Sequence, residues 1–216
     1  IEITDDIRKA MLLYINNNDY LTNIDGLTNV SIVEGNLALE YNNELLNFNG
    51  LSSLTSTNGF YIYSNDKLND ISGLKNLTKV EYLYYIGNKS LNSLNGLENL
   101  TTIVGSLEIR NSALTNIDQF SQITSLTESL EIVENDNLTN IDGLAGLTTI
   151  GEYVEISENK LLANINGFNN LKTIGDEIYF YKNESLTNID GLSSLIKVEG
   201  SLDFNKNSNL SDFCGL

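Results

Sequence analysis

Three glutamates stand at equivalent positions of successive segments and could act together. Glu108, Glu131 and Glu155 are 23 and 24 residues apart. If these segments stack as neighbouring strands, the carboxylates lie about 4.8 Å apart and repel one another unless a cation neutralises them. A basic partner or Ca²⁺ would supply that cation, and two carboxylates at this spacing also resemble the pair of a retaining glycosidase. A solvated acidic face explains the same pattern, so all of these interpretations stay open.

Seven tyrosines form two further groups at equivalent positions. Tyrosine combines a rigid apolar ring with a polar tip, as in sugar-binding platforms and protein hot spots. It is also a common strand residue that packs beside its cross-strand neighbour, so both a binding role and a structural role are open. The first group is Tyr61, Tyr63, Tyr82 and Tyr84, with Ile86 beside it, and the second group is Tyr153, Tyr179 and Tyr181.

The composition excludes several other kinds of chemistry. The 216 residues include no His and one Cys, Cys214. Imidazole-based triads, His-ligated metals and Cys-based zinc sites are therefore excluded, and we expect no cofactor and no metal. The chain carries 12 Lys+Arg against 29 Asp+Glu, a net charge of −17, which argues against nucleic acid as a partner. No apolar run approaches the ~18 residues of a membrane span.

The elements that position these side chains come from an internal repeat. A phrase of the form L-T-N-I-D-G-L recurs with a spacing of 23 or 24 residues, which is the signature of a repeat architecture. Within each period the apolar residues keep fixed positions, so one continuous core accounts for most of them. The nine copies begin at Leu21, Leu45, Leu68, Leu91, Leu114, Leu138, Leu162, Leu186 and Leu210.

Each period predicts one short strand followed by an asparagine. In the copy at Leu138, Val154 and Ile156 alternate with polar neighbours, which is the pattern of a half-buried strand. Asn159 follows three residues after Ile156, and stacked asparagines at this position could hydrogen-bond backbone groups around the bend. The predicted asparagine column is Asn18, Asn42, Asn65, Asn88, Asn111, Asn135, Asn159, Asn183 and Asn207.

The rest of each period has apolar residues spaced by three, which favours a 3₁₀-like or irregular extended path over a long α-helix. The motif glycine, as in Gly143, is expected to adopt a positive φ at a corner. Gln119 replaces this glycine in one copy, where we expect a local distortion. Because proline would interrupt the backbone ladder, its absence also fits. The sequence therefore predicts an all-β-type repeat solenoid, in which parallel strands stack over about nine turns.

Two regions follow from the repeat. Residues 1–12 lie outside it and are expected to form an N-terminal cap, because end turns must shield the core. Residues 13–216 form a single repeat solenoid. Its ninth motif, at Leu210, ends before the strand that should follow, so we expect the natural protein to continue beyond Leu216.

The repeat resembles the receptor L domain family, a relative of the leucine-rich repeats. The pattern Val198-x-x-x-Leu202-x-Phe204-x-x-Asn207-x-x-Leu210 has one residue more on each side than the usual leucine-rich repeat. The phrases I-D-G-L-x-x-L and G-S-L-E-I, the latter at 105–109, also match, over residues 13–216. The segments 17–27 and 209–216 look most like secreted, Asn-rich L-domain proteins of Bacteroidetes-type bacteria. The resemblance implies a right-handed β-helix and a secreted or cell-surface protein.

The sequence thus predicts a non-enzymatic binding or adhesion module that recognises a protein or a glycan through its strand face. The tyrosines and glutamates named above are the candidate ligand-binding residues. Two alternatives stay open. One is a polysaccharide-acting β-helix enzyme, for which Arg110 beside Glu108 is the one basic candidate on this face. The other is a structural spacer that binds nothing.

Overall fold

A computed structural model describes residues 9–216, which form sixteen short strands. Longer strands alternate along the chain with two-residue strands, except at β5 and β6, where one eight-residue strand covers both positions, as expected for a chain that winds through the same positions in every period. In chain order they are β1 (Lys9–Ala10), β2 (Leu13–Asn16), β3 (Ile32–Val33), β4 (Leu37–Glu40), β5 (Ser56–Tyr63), β6 (Lys79–Ile86), β7 (Thr102–Ile103), β8 (Leu107–Arg110), β9 (Ser125–Leu126), β10 (Leu130–Val133), β11 (Thr149–Ile150), β12 (Val154–Ser157), β13 (Thr173–Ile174), β14 (Ile178–Tyr181), β15 (Lys197–Val198) and β16 (Leu202–Asn205).

The longer strands stack into one parallel ladder. Its order is β2, β4, β5, β6, β8, β10, β12, β14 and β16, and each strand pairs in parallel with the equivalent strand of the next period. Four of the two-residue strands, β9, β11, β13 and β15, form a second parallel sheet. The chain is therefore a repeat solenoid of parallel strands.

The core follows the predicted inward pairs. From β4 to β14 every predicted inward strand residue is buried, for example Val154 and Ile156 at 0% exposure. At the last strand, Leu202 is 46% exposed and Phe204 is partly buried. A single apolar column therefore runs through the middle of the solenoid, and its strands present their other side to solvent.

The predicted 3₁₀-like path is confirmed on the opposite side of the period. Each helix there is a single turn that lies against the helix of an adjacent period, except that the series is interrupted between Ser72–Leu74 and Asp118–Phe120. The 3₁₀ helices within the described residues span Asp25–Leu27, Asn49–Leu51, Ser72–Leu74, Asp118–Phe120, Asp142–Leu144, Asn166–Phe168 and Asp190–Leu192.

The asparagine column is a continuous set of hydrogen bonds between periods. The Asn159 side-chain amide donates to the carbonyl of Ile132, one strand earlier, at 2.8 Å, and the Asn159 Oδ1 accepts the backbone N–H of Asn135 at 3.0 Å. The same two contacts recur at Asn42, Asn65, Asn88, Asn135, Asn183 and Asn207. Because all of these asparagines except Asn207 are fully buried, the column satisfies backbone groups that water does not reach.

At one position the predicted column was wrong. Ser112, not Asn111, occupies the place between Asn88 and Asn135, and both its backbone N–H and its Oγ donate to Asn135 Oδ1, at 3.1 and 2.6 Å. Asn111 is exposed and has a φ of 47°. Counting three residues from Ile109, as in the other periods, leads to Ser112. The spacing therefore indicates the correct position, and the prediction was wrong because it required an asparagine there.

The motif glycines do not serve the predicted purpose. Gly96 is the one motif glycine with a positive φ, and the left-handed corner instead lies directly before the asparagine column, where Glu134, Glu158 and Lys182 have φ between 53° and 58°. The motif glycines from Gly50 onward are required for space. A Cβ on Gly143 would lie 2.0 Å from the carbonyl oxygen of Ile117 in the preceding period, a distance that no side chain tolerates.

The distortion expected at Gln119 appears one period earlier. The 3₁₀ helix is absent around Gly96, whose φ is 117° and whose N–H donates a hydrogen bond to the carboxylate of Glu98. Gln119 lies above this turn and donates from Nε2 to Asn95 Oδ1 at 3.1 Å. Because a residue with a Cβ needs room where the other copies have glycine, the turn beneath it adopts a different path.

The predicted cap, residues 1–12, falls largely outside the described residues. In the part of this segment that the structure describes, β1 pairs in parallel with β3, so residues 9–10 join the main sheet.

Removing one buried asparagine should strongly destabilise the solenoid. Asn159→Ala leaves the Asn135 N–H and the Ile132 carbonyl without their partner, and each unsatisfied buried group costs about 1–3 kcal/mol. We expect a loss of about 3 kcal/mol in the free energy of unfolding, measured by urea denaturation. The exposed Asn137→Ala variant should change it by less than about 0.5 kcal/mol, and equal losses in both variants would contradict this role for the column.

Two glycines at the same motif position should respond differently to alanine. Gly143→Ala places a methyl group against the Ile117 carbonyl, whereas nothing lies within 4 Å of the corresponding position at Gly26. We expect Gly143→Ala to lower the thermal midpoint through overpacking of about 1–3 kcal/mol. Gly26→Ala should leave the midpoint unchanged or slightly raised. Similar losses in both would show that backbone conformation, not space, selects the glycine.

Candidate ligand-binding face

The strand registers bring all the candidate residues to the solvent side of the main ladder. Its central outward row runs in the predicted order, because Tyr61 pairs with Tyr84, Tyr84 with Glu108, and Glu155 with Tyr179. Glu108, Glu131 and Glu155 are direct cross-strand neighbours. The face therefore carries a tyrosine group, a glutamate row and a second tyrosine group, in that order.

The cation for the glutamate row is supplied by the chain itself. The Arg110 guanidinium forms ion pairs with all three carboxylates: its Nε lies 2.5 Å from Glu108, one Nη contacts Glu131 directly, and the same Nη lies 3.6 Å from Glu155. The side chain of Arg110 is 33% exposed and the glutamates are 14–25% exposed. Three carboxylates at ladder spacing are thus tolerated because one guanidinium bridges them.

The electrostatics of this cluster favour a permanent cation. Burial lowers the pKa of Arg110, but the hydrogen bond and the negative charge of Glu131 outweigh it, so the pKa is raised. Burial, followed by repulsion from Glu131, raises the pKa of Glu108 against the opposing effect of Arg110. Arg110 therefore cannot act as a proton acceptor, and the cluster keeps an excess of negative charge.

Hydroxyl groups complete the glutamate row. The Tyr153 hydroxyl donates to Glu131, and Ser157 Oγ donates to Glu155 at 2.7 Å. Burial, and then the bond to Glu131, raises the pKa of Tyr153. Tyr153 therefore belongs with the ionic cluster rather than with the other tyrosines of its predicted group.

The first tyrosine group forms one connected aromatic surface, the N-terminal tyrosine patch (Tyr61, Tyr63, Tyr82 and Tyr84). Tyr61 lies edge-on to both Tyr63 and Tyr84, with ring centroids 6.0 and 5.2 Å apart. Tyr82 and Tyr84 are tilted, with centroids 6.1 Å apart. All four side chains are partly exposed, so the patch is packed enough to be rigid and open enough to contact a partner.

Two glycines allow rings of this patch to lie down on the sheet. A Cβ on Gly59 would lie 2.3 Å from the ring of Tyr61, and a Cβ on Gly105 would lie 2.5 Å from the ring of Tyr82. Tyr82 extends along the stack, and its hydroxyl donates to Glu128, two periods away, at 3.0 Å. Glu128 also accepts from Ser106 Oγ at 2.9 Å, and its bond with Tyr82 raises the pKa of that tyrosine to about 12.

The other two tyrosines form a C-terminal tyrosine pair, Tyr179 and Tyr181, which are stacked with centroids 5.8 Å apart. Two lysines lie over one ring of this pair. Lys182 and Lys206 place their ammonium groups 5.0 and 5.2 Å from the Tyr181 ring centroid. Lys206 also donates to the Tyr181 hydroxyl at 3.1 Å, which lowers the pKa of Tyr181.

The sequence analysis missed the residues that support these groups. A glycine inside a strand often marks the close approach of another group, so Gly59 could have indicated the flat ring of Tyr61, whereas Gly105 lies at a bend before β8 and gave no such signal. Lys182 and Lys206 lie 24 residues apart at equivalent positions, which could have placed them together. Glu128 left no such signal, because its contact with Tyr82 spans two periods.

Other features of the described residues do not add to this face. A groove of about 540 Å³ against the four-stranded sheet, lined in part by Thr149, Ile150 and Thr173, includes none of the candidate side chains. Within residues 9–216, no three or more Cys, Asp, Glu or His side chains are grouped to hold a metal ion. No helix in the same part of the chain has the length and apolar character needed to span a bilayer.

Arg110→Gln should destabilise the protein in a pH-dependent way. The three carboxylates lose their shared cation, and for a partly buried pair we expect a cost of about 2 kcal/mol at pH 7, between the values for exposed and buried pairs. The pKa of Glu108, already raised, should rise further. A carboxyl whose folded-state pKa is raised favours folding once it is protonated, so the deficit should shrink as the pH falls through that pKa towards 4.5.

Urea denaturation at pH 7 and pH 4.5 measures this difference. Lys67→Gln, which removes an exposed pair with Glu44, is the matched control and should cost less than about 1 kcal/mol. If the deficit of Arg110→Gln were the same at both pH values, repulsion among the glutamates would not be its cause.

Comparisons with known proteins give the chain a general likeness and no family. No protein-family model matches it, and no curated protein matches it in sequence. Among solved structures it is similar to an internalin (inlF) from Listeria monocytogenes, with 15% sequence identity and a TM-score of 0.31 over 94% of this chain and 86% of the internalin chain. At these values the likeness carries no functional inference, and the assignment as a repeat solenoid of parallel strands is based on the strand registers.

Proposed function

We propose that this solenoid is a non-enzymatic binding module that recognises a protein or a glycan through the outward face of its main ladder. The observation that carries the proposal is the N-terminal tyrosine patch, in which Tyr61 and Tyr82 lie flat over Gly59 and Gly105. Strand propensity alone does not require glycines beneath the rings. Rigid, half-exposed tyrosines lose little conformational entropy on binding, and such residues dominate protein and carbohydrate interfaces.

The contacts of Arg110 weigh against the alternative of a polysaccharide-acting enzyme. Its guanidinium is held by Glu108, Glu131 and Glu155 and keeps its proton. A carboxylate pair acting as acid and nucleophile needs one free carboxylate, whereas here each member of the row is ion-paired. The same contacts account for the glutamate row without Ca²⁺. The glutamates therefore act by setting the charge of the face.

The remaining features of the proposal come from the repeat and from the resemblance described in the sequence analysis. The solenoid winds as a right-handed, L-domain-like β-helix of about nine turns in residues 13–216, with a cap in residues 1–12. The module belongs to a secreted or cell-surface protein of the Asn-rich, Bacteroidetes-type kind, in which it serves adhesion or protein binding.

A binding assay with a double variant tests the proposed face. The chain is presented to a glycan array and to a panel of purified surface proteins, and retention is compared with that of Tyr61→Ala/Tyr84→Ala. Because truncating an aromatic hot spot costs about 2 kcal/mol or more, we expect retained ligands to bind at least about 30-fold more weakly. Thermal unfolding of the double variant checks that the fold is intact.

Tyr20→Ala is the matched control, because Tyr20 is 93% exposed and lies outside the ladder strands. It should retain ligands like the unmodified chain. Unchanged retention by the double variant would exclude the tyrosine patch as the binding surface. Release of unsaturated sugars from acidic polysaccharides would support the enzyme instead, and the absence of any retained ligand would favour a spacer.

A further inference from the structure

We propose that the N-terminal tyrosine patch binds a cationic side chain, above all an arginine, presented by a protein partner. This inference rests on the proposed binding function and specifies the partner for one part of the face. It follows from a comparison of the three side-chain groups on the ladder, two of which already contain a cation of this chain.

The two filled groups show what this face accommodates. In the glutamate row the Arg110 guanidinium lies among three carboxylates, next to the Tyr153 hydroxyl that shares Glu131. At the C-terminal tyrosine pair, Lys182 and Lys206 lie over the Tyr181 ring, and Lys182 also pairs with Glu158 at 3.3 Å. Each group combines a tyrosine, at least one carboxylate and a cation.

The N-terminal tyrosine patch has the same components without the cation. Among the described residues, no lysine or arginine lies over the rings of Tyr61, Tyr63, Tyr82 or Tyr84. Two carboxylates adjoin the patch. Glu40 pairs across the ladder with Tyr63 and accepts a hydrogen bond only from the neutral amide of Asn16, at 3.2 Å. Glu81 forms no ion pair within residues 9–216.

The electrostatic potential at the patch is negative, which contributes to the raised pKa of Tyr61. Burial raises the pKa of Tyr61, and the charges of Tyr14, Glu40 and Glu81 add to that increase. The pKa of Tyr181 is lowered instead, chiefly by its bond from Lys206. The directions differ between Tyr61 and Tyr181 because a lysine of this chain bonds the Tyr181 hydroxyl, whereas burial raises the pKa of Tyr179 beside it.

The chemistry of the patch selects a planar cation on a protein. Guanidinium stacks on aromatic faces and pairs with carboxylates through its fixed fork of N–H groups, which suits flat rings flanked by Glu40 and Glu81. A polyanionic glycan is disfavoured, because the outward side of the paired strands carries five carboxylates and one guanidinium, namely those of Glu40, Glu108, Glu131, Glu155, Asp203 and Arg110. The net charge of −17 further favours the approach of a basic segment.

The probe is a fluorescein-labelled Gly/Ser peptide that carries three arginines, and its control is the same peptide with citrulline, the neutral isostere of arginine. Fluorescence anisotropy measures affinity, and ¹⁵N NMR locates the contact through the amides of Gly59 and Gly105 beneath the rings. We expect binding of the arginine peptide, shifts at both glycines and little binding of the citrulline peptide. Tyr61→Leu, which keeps an apolar side chain and removes the ring, should weaken binding about fivefold.

Two matched charge variants separate a site from general attraction to an acidic chain. Glu81→Gln removes a carboxylate at the patch and should weaken arginine-peptide binding severalfold. Glu184→Gln removes the same charge from an exposed position outside the ladder strands and should leave binding unchanged. Equal effects of the two variants, equal binding of the citrulline peptide, or shifts confined to residues away from Gly59 and Gly105 would overturn the proposal.

A further outcome distinguishes this inference from the proposed function. If the arginine peptide does not bind, while a neutral glycan or an uncharged protein surface binds and is lost in Tyr61→Ala/Tyr84→Ala, the cation site is overturned and the binding function stands. If neither the peptide nor any array ligand binds, both fail together.

Discussion

The structure depends on pairing the backbone groups that each inward bend removes from water. A solenoid of this width turns its chain back into the core once in every period, and the N–H and C=O groups at that bend cannot reach solvent. The buried asparagines solve this by bonding across periods, each to the carbonyl of the preceding strand and to the N–H of the preceding asparagine. A bond that links one period to the next also fixes the register between them, so the period of 23 or 24 residues and the hydrogen bonds are the same constraint.

That register has a consequence for the surface, because it places equivalent residues directly on top of one another. On the core side this is favourable, since apolar residues stack on apolar residues. On the outward side it also stacks like charges, as at Glu108, Glu131 and Glu155. The chain offsets the repulsion with Arg110, which comes from the next outward row of β8. The face is thus organised by the need to separate or neutralise side chains that the fold itself brings together.

The sequence predicted the parts of the molecule that repeat and misjudged those that depend on a single neighbour. The strand pairs, the 3₁₀ turns and the order of the outward rows follow from periodicity, because every copy gives the same evidence. Ser112 was missed because its role comes from position and not from residue type. The sequence does not show why the motif glycines are needed. A side chain at Gly143 would clash with Ile117 of the preceding period, and only the stacked structure reveals this contact. Arg110 was noticed beside Glu108, but its reach to Glu155 depends on a side-chain path that spacing does not determine.

The separation between core and face explains how such a chain can acquire a ligand without altering its fold. Outward residues such as Tyr84 and Glu155 make no contribution to the apolar column, so their types can vary while the register holds. Gly59 is the exception, because it is a strand residue of β5 whose lack of a side chain makes room for the ring of Tyr61. Gly105, at the bend before β8, makes room for the ring of Tyr82 in the same way. Glycine weakens a strand, since it leaves nothing to pack and has more entropy to lose. Its presence within β5, beneath a flat ring, is a stability cost that the orientation of the ring explains and the core does not.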